Sequence, residues 1–184
     1  MTNPAQNLAT AMRRHREANN QSLGDLSRLT GLSKTSLARL EAGDGNPSLE
    51  TLWRLGQALG LTIGQLLEAP GPEPARVLRS GDGPIVESSF GMRGRLLQTD
   101  DGPHRTEVFE LDLLPGARFE GPPHDPGTRE LVHCISGQIS CGPDGEPLDL
   151  SPGDTAYFDG TEAHFYAGGP DGGQALLVMR YPPA

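Results

Sequence analysis

Two histidines and one glutamate in the second half of the sequence have the residue types of a mononuclear metal site. If separate strands carry them into one barrel, His124, Glu130 and His164 could form a 2-His-1-carboxylate site. Such a site suits a divalent metal: Fe, Zn, Ni or Mn. The alternative is a hydrogen-bonded polar cluster that lines a pocket for an organic ligand. Period-two alternation puts His133 on the opposite strand face from Glu130, so we leave His133 out of the site.

A second group of side chains has the chemistry for contacting DNA bases. Lys34, Thr35 and Arg39 lie on the outer face of a predicted helix at 33–42, whose leucines point inward. Arg and Lys can donate to guanine O6 and N7, and a Thr methyl can pack on a thymine methyl. Nearby basic and polar side chains are the predicted phosphate contacts: Arg13, Arg14, Ser33, Ser36, Asn46 and Ser48. For the two arginines, the alternative is a solvated surface without function.

Five short helices are predicted in the first third of the chain. Ser22 and Asp25 have the spacing of a capping box, and Gly31 stands where a left-handed turn ends a helix. Two helices joined by such a turn are typical of a helix-turn-helix. The predicted helices are Asn7–Ala18, a helix that starts after Ser22, 33–42, 48–59 and Thr62–Leu67. The predicted inward face of the second helix consists of three leucines, Leu23, Leu26 and Leu29.

The sequence from about Leu8 to Glu68 resembles the Xre/Cro/phage-repressor helix-turn-helix family. The resemblance rests on the motifs SLGDLSRLTGLSKTSLARLEAG, NPSLETLWRLGQALG and LTIGQLL. It implies a five-helix, all-α domain that binds a two-fold DNA operator as a dimer, with the helix at 33–42 reading the bases. Many family members have a basic residue within the segment Ala42-Gly43-Asp44, so weaker phosphate contact is expected there. The alternative is a degenerate domain that only dimerises.

The second half of the sequence predicts many short strands, as in an all-β jelly roll or barrel. Turn signals separate nine candidate strands: Ile85–Phe90, Arg93–Gln98, Thr106–Leu113, Arg118–Glu120, Glu130–Ile135, Gln138–Cys141, Thr155–Phe158, Ala163–Tyr166 and Ala175–Tyr181. A segment rich in Pro and Gly precedes them and is typical of a linker. We therefore predict a DNA-binding domain at 1–68, a linker at 69–84 and a ligand-sensing domain at 85–184.

The stretch Thr106–Tyr181 resembles the cupin superfamily, which implies a jelly-roll barrel. The resemblance rests on Gly116, His124-Asp125-Pro126, Glu130, Gly137, the turn Pro152-Gly153-Asp154 and His164. Pro126 stands where the second histidine of the first cupin motif would be, so three of the four usual ligands are present. Five further residues are predicted to line the barrel pocket: Phe109, Cys134, Tyr157, Tyr166 and Met179.

The net charge of −9 is distributed unevenly along the chain. Residues 1–68 contain seven Lys/Arg against six Asp/Glu, about +1, whereas residues 69–184 contain eight against eighteen, about −10. Phosphate repels an acidic surface, so only the first module is a plausible DNA-binding face. Two cysteines without a disulfide framework, a polar N-terminus and no long apolar run predict a cytoplasmic protein without signal peptide or membrane span.

With both resemblances taken together, the chain resembles regulators that join an Xre-type helix-turn-helix to a cupin. They imply a homodimeric, sequence-specific DNA-binding transcriptional regulator, and not an enzyme, whose cupin binds a small-molecule effector that controls operator binding. The alternative is a mononuclear metal-dependent oxygenase or epoxidase with an accessory helix-turn-helix, because a few proteins with this domain pairing are iron enzymes. No obvious acid–base residue accompanies His124, Glu130 and His164, which argues against the enzyme.

Overall fold

The computed structural model describes residues 4–67, 77–100 and 105–182 of the chain. Contacts divide the chain into two compact units, Met1–Ser80 and Gly81–Ala184. The first half of the predicted linker 69–84 lies outside the described residues. Among the described helices, none is both long and apolar enough to cross a membrane.

The first unit contains the five predicted helices. They are α1 (Pro4–Ala18), α2 (Leu23–Thr30), α3 (Lys34–Glu41), α4 (Leu49–Leu59) and α5 (Ile63–Leu67). Both halves of the predicted capping box are formed, because the Ser22 hydroxyl accepts from the Asp25 amide and the Asp25 carboxylate accepts from the Ser22 amide. Gly31 ends α2 at φ +70°, a left-handed conformation that favours glycine. The predicted sharp turn between α2 and α3 is therefore present.

One predicted face in this unit is wrong. Leu29 is 60% exposed, whereas Leu26 and Thr30 are the buried residues of α2. Residues four apart share a helix face, so the core contact runs through positions 26 and 30, and Leu29 turns outward. The core of the unit is made by leucines of all five helices together with α1 side chains: Leu8, Met12, Leu26, Leu37, Leu52, Leu55, Leu59 and Leu66.

A nearly buried ion pair fixes α3 against α1. Arg16 Nε donates to Glu41 Oε1 over 2.6 Å and its Nη2 donates to Oε2 over 3.2 Å, which makes a bidentate pair. Arg16 Nη1 also donates to the Gln21 carbonyl at 2.8 Å. The side chains of Arg16 and Glu41 are 16% and 9% exposed. Arg16 therefore positions the C-terminal end of α3 and is not available for DNA.

We expect Glu41→Gln to destabilise the helical unit by about 3 kcal/mol, because it removes the buried carboxylate that pairs with both Nε and Nη2 of the nearly buried Arg16 guanidinium. The measurement is urea unfolding followed by helical circular dichroism. Glu17→Gln is the matched control, since Glu17 is 61% exposed and its loss should change the free energy of unfolding by less than about 0.5 kcal/mol. Equal unfolding midpoints for the two variants would contradict the assigned role of the pair.

The second unit is an antiparallel eight-stranded sheet that folds over on itself. Its strands are β1 (Ile85–Glu87), β2 (Met92–Asp100), β3 (Thr106–Leu113), β4 (Arg118–Gly121), β5 (Arg129–Pro143), β6 (Leu148–Leu150), β7 (Thr155–Asp159) and β8 (His164–Arg180). The main order is β1-β2-β3-β8-β5-β6, with β4 on β8 and β7 on β5. The first half of β8 pairs with β4 and its second half with β3, so β8 contributes to both faces of the barrel.

Two pairs of predicted strands are single long strands in the structure. The pairs Glu130–Ile135 with Gln138–Cys141, and Ala163–Tyr166 with Ala175–Tyr181, merge into β5 and β8. Register shifts at Cys134/Ser136 and Gly137/Ile139 bend β5 without breaking it. Gly137 has φ +72°, and a Cβ there would lie 2.3 Å from the Gly172 carbonyl oxygen. Gly137, which in the sequence indicates a turn, is thus required at a bulge of β5, where the backbones of β5 and β8 approach closely.

Candidate functional site

The outer face of α3 carries the predicted base-contacting residues. Lys34, Thr35 and Arg39 are exposed, while Leu37 and Leu40 are buried against the other helices. Ser33 caps the helix by accepting from the Ser36 amide, and the two hydroxyls lie 2.8 Å apart. The face is therefore presented to solvent by a helix that is fixed at its start by Ser33 and at its end by the Arg16–Glu41 pair.

A groove of about 390 Å³ lies between the C-terminal end of α3 and the start of α4. Ser36, Arg39, Asn46 and Ser48 line it, together with Asp44 and Thr51. Ser48 is the N-cap of α4, and its hydroxyl accepts from the Thr51 amide, so the first turn of this helix lies at the groove. Such a helix start attracts an anion, and the groove adjoins the predicted base-contacting face.

The two arginines predicted to contact phosphate differ in their contacts. Arg13 Nη2 donates to the Glu41 carbonyl oxygen at 3.1 Å, although the side chain is 58% exposed. Arg14 Nη2 lies 3.1 Å from His15 Nε2, and burial together with the Arg14 charge lowers the pKa of His15. Arg13 is thus partly occupied in holding α1 against α3, while Arg14 is a surface cation.

The structure brings His124, Glu130 and His164 together inside the barrel. One ligand atom of each lies within 4.8 Å of the others. His124 Nε2 is 3.0 Å and His164 Nε2 is 3.3 Å from the same oxygen, Glu130 Oε1. Ligands that lie about 2.1 Å from one metal ion at right angles are about 3 Å apart, so this spacing suits a shared divalent cation.

A hydrogen bond sets which nitrogen of His164 faces the cluster. His164 Nδ1 lies 2.8 Å from the Glu162 carbonyl oxygen, and a carbonyl only accepts, so Nδ1 carries the hydrogen. In the neutral ring, Nε2 then directs its lone pair at Glu130 Oε1. Two lone pairs at 3.3 Å repel each other, so a proton or a metal ion between them stabilises the arrangement.

The other carboxylate oxygen of the triad has its own partner. The Tyr166 hydroxyl donates to Glu130 Oε2, and both side chains are buried. Burial favours the neutral carboxyl, but the hydrogen bond from His124 and the charges of both histidines outweigh it and lower the pKa of Glu130. Burial and the adjacent Glu130 raise the pKa of Tyr166 far above its ordinary value. The hydrogen bond from Tyr166 therefore fixes the orientation of the Glu130 carboxylate.

Two glycines leave the space that an ion beside the triad requires. A Cβ on Gly121 would lie 2.5 Å from His164 Nε2, and a Cβ on Gly160 would lie 2.8 Å from Glu130 Oε1. Neither glycine has a left-handed φ, so lack of room is what excludes a side chain at both positions. The converging lone pairs and this glycine-walled space fit a divalent metal, which the triad could hold.

Four of the five residues predicted to line the barrel pocket are buried, and the fifth is exposed. Phe109, Cys134, Tyr166 and Met179 are buried in the barrel. Tyr157 is wrong, because it is 71% exposed and its neighbour in β7, Phe158, points inward with its ring 5.8 Å from that of His164. For Cys134, burial first and then the charge of Asp154 raise the thiol pKa, and its sulfur is not among the potential ligand atoms that lie together in the barrel, so it packs as a small buried hydrophobe. Pro126, at the position of the missing histidine, is exposed.

Sequence reasoning missed a second buried carboxylate, Glu107 in β3. Glu107 is 1% exposed and accepts a hydrogen bond of 3.0 Å from the Tyr181 hydroxyl. Met179 pairs with Glu107 on one side and with Glu130 on the other, so the two acids lie on one row across the sheet. The Tyr181 ring meets the His124 ring edge-on at 6.2 Å. The sequence contains a signal for this burial, because Glu107 occupies one of the alternating positions of β3 that face inward.

Comparison with known proteins identifies both units. A helix-turn-helix family model matches residues 12–66, and a cupin domain model matches residues 109–179. The HTH-type transcriptional regulator SutR of Escherichia coli strain K12 is 28% identical over 170 residues, which cover 92% of this chain and 91% of SutR.

One solved structure agrees with this division at the level of the fold. An HTH_3 family transcriptional regulator from Vibrio cholerae has a TM-score of 0.71 at 23% identity, covering 97% of each chain. Hydroxypropylphosphonic acid epoxidase from S. wedmorenis has a TM-score of 0.44 at 19% identity, covering 98% of this chain and 100% of its own, which is too distant to carry an argument. The chain therefore contains a helix-turn-helix domain within residues 12–66 and, after it, a cupin domain within residues 109–179.

Proposed function

We propose that this protein is a sequence-specific DNA-binding transcriptional regulator whose cupin domain binds a small-molecule effector. The observation that carries the proposal is the outer face of α3. Lys34, Thr35 and Arg39 are exposed there, and Arg39 lines a groove that contains the N-terminal end of α4. A helix placed in the major groove by its N-terminal half would bring these side chains to base edges, and the groove would receive a backbone phosphate.

The charge of the first module supports binding as a homodimer to a two-fold operator. Residues 1–68 carry seven Lys/Arg and six Asp/Glu, so non-specific attraction to phosphate is weak. High affinity for an operator then depends on a dimer that binds two half-sites at once, because after the first domain binds, binding of the second domain is intramolecular. The half-sites would be about one helical turn of DNA apart.

We place the effector site at the triad of the barrel, with a divalent metal held by His124, Glu130 and His164. The facing lone pairs of His164 and Glu130 and the space beside Gly121 and Gly160 support this assignment. When bound, the ion would supply a Lewis acid for an oxygen atom of the effector. An effector can change DNA affinity only if it favours one arrangement of the two DNA-binding domains over another.

Selection from a randomised pool of double-stranded DNA tests the proposal. Purified full chain should enrich one two-fold symmetric sequence over successive rounds at physiological salt. Competition with the unselected pool controls for binding through phosphate alone. Recovery of the pool without any enriched sequence would contradict a base-reading role for α3.

Gly160→Ala should abolish metal binding while the barrel still folds, because the added methyl group would lie 2.8 Å from Glu130 Oε1. Gly94→Ala in β2 is the matched control, since its Cβ would meet Val86, away from the triad. Metal content after dialysis against Zn²⁺ or Mn²⁺, together with the melting temperature, measures the effect. Wild-type metal content in Gly160→Ala would show that the glycine does not border the ion.

The triad also favours a second candidate function, a mononuclear metal-dependent oxygenase or epoxidase with an accessory helix-turn-helix. His124, Glu130 and His164 are the donor set that such enzymes use for Fe(II). The two candidates differ in the role of the outer face of α3, the reading face formed by Lys34, Thr35 and Arg39. A regulator loses operator binding when this face is changed. An enzyme of this kind would lose catalytic activity only when the triad is changed.

A further inference from the structure

Asp44 follows the left-handed turn that ends α3, and main-chain hydrogen bonds fix its backbone close to that of Arg39. Gly43 has φ +74°, its amide donates to the Leu40 carbonyl at 3.0 Å, and the Asp44 amide donates to the Arg39 carbonyl at 3.0 Å. These two bonds form a Schellman motif, which ends a helix in a defined geometry. Asp44 is therefore held one turn from Arg39 by the main chain, whatever its side chain does.

The carboxylate of Asp44 lies at the same side of the reading face as Arg39. Asp44 Oδ2 is 3.6 Å from Arg39 Nε, and the two side chains are 75% and 65% exposed. An exposed pair of this kind contributes little to the stability of the free protein. Both side chains line the groove at the start of α4, however, where bound DNA would displace water and strengthen the interaction.

We infer that Asp44 is a specificity-determining residue of this face, an inference that rests on the proposed DNA-binding function. The Asp44 carboxylate forms an ion pair with Arg39 on the Nε side of the guanidinium, so the two terminal amino groups can donate together to DNA. That pair of donors matches guanine O6 and N7. The carboxylate orients Arg39 toward the base edge and away from the phosphates on either side.

Asp44 also makes binding to incorrect sequences less favourable. A fixed negative charge beside the phosphate-binding groove repels the DNA backbone at every sequence. Specificity is a difference between affinities, so this uniform repulsion weakens binding to all sequences and cancels in their ratio. The ratio changes through Arg39: held by Asp44, the guanidinium reaches guanine at the correct base pair, and at other base pairs it is kept from the phosphates that it would otherwise contact.

The test compares Asp44→Asn with wild type on three duplexes: the selected operator, the operator with the Arg39-contacted base pair replaced, and an unrelated sequence. Asp44→Asn should lower discrimination between the first two duplexes at least fivefold and raise affinity for the unrelated one. Arg39, once released, should contact phosphate, so the slope of log affinity against log salt should become more negative by about 0.9 per subunit. Glu17→Gln removes the same charge from α1 and should leave discrimination unchanged.

A double variant separates orientation of Arg39 from a general charge effect. In an Arg39→Ala background, Asp44→Asn should no longer change discrimination, because no guanidinium remains to be positioned. Unchanged discrimination in Asp44→Asn, or a change equal to that of Glu17→Gln, would overturn the inference while the proposed function stands. Wild-type protein that does not distinguish the selected operator from the unrelated duplex would overturn both.

Discussion

Arg39→Ala should remove sequence-specific DNA binding while leaving the fold unchanged. Each bidentate contact between an arginine and guanine contributes about 1–3 kcal/mol of discrimination, and a dimer loses two of them. We therefore expect affinity for the selected operator to fall at least about 100-fold, toward the affinity for unrelated DNA. Fluorescence anisotropy with both duplexes at one fixed salt concentration measures the change.

The control for this variant is Arg54→Ala, which removes an equal charge from the exposed surface of α4. Arg54 lies outside the face formed by Lys34, Thr35 and Arg39, so its loss should reduce affinity for both duplexes alike. The Arg39 side chain is 65% exposed, and its truncation should leave the melting temperature of the helical unit within experimental error. Specific binding that survives Arg39→Ala unchanged would show that another surface reads the operator.

His164→Gln should abolish metal binding in the barrel. The variant removes the nitrogen that lies 3.3 Å from Glu130 Oε1 and leaves two of the three ligand side chains. Wild-type protein should retain one divalent ion per chain after dialysis and melt at a higher temperature with added metal, because an ion that binds only the folded state stabilises it. Native mass spectrometry and metal analysis should give less than a tenth of that content for the variant.

His133→Gln is the matched control, because His133 lies on the outward face of β5 and bonds to Thr155 at 2.9 Å. It should keep the metal content and the metal-dependent rise in melting temperature. Wild-type protein that remains free of metal after exposure to Zn²⁺, Mn²⁺, Ni²⁺ and Fe²⁺ would contradict the metal assignment. His124, Glu130 and His164 would then be the hydrogen-bonded polar cluster of an organic-ligand pocket.

Local signals in the sequence were sufficient for the helix-turn-helix. The Ser22–Asp25 capping box and the left-handed turn at Gly31 depend on neighbouring residues only, and both are confirmed. The exposure of Lys34, Thr35 and Arg39 follows equally from the position of the leucines on α3. The exposure of Leu29 depends on how α2 packs against the other helices, which the spacing of leucines along one helix does not determine.

Pairing between strands that are distant in the sequence determines the features of the barrel that local patterns do not predict. The merging of predicted strands into β5 and β8 depends on bulges between distant segments, where glycine serves close backbone approach and not a turn. Tyr157 and Phe158 are neighbours in β7, so only one of them can face the barrel interior, and the alternation of the strand directs Phe158, the partner of Glu130, inward. The Arg16–Glu41 pair joins residues of two helices, and no pattern in either helix predicts it.

The ratio of affinities for the selected operator and an unrelated duplex of equal length tests the central claim most directly. The measurement uses the wild-type full chain and one physiological salt concentration for both duplexes, so that attraction to phosphate cancels. Base contacts by two copies of α3 predict a ratio of at least about 10³. A ratio near one would show that α3 does not read sequence and would contradict the assignment of this protein as a transcriptional regulator.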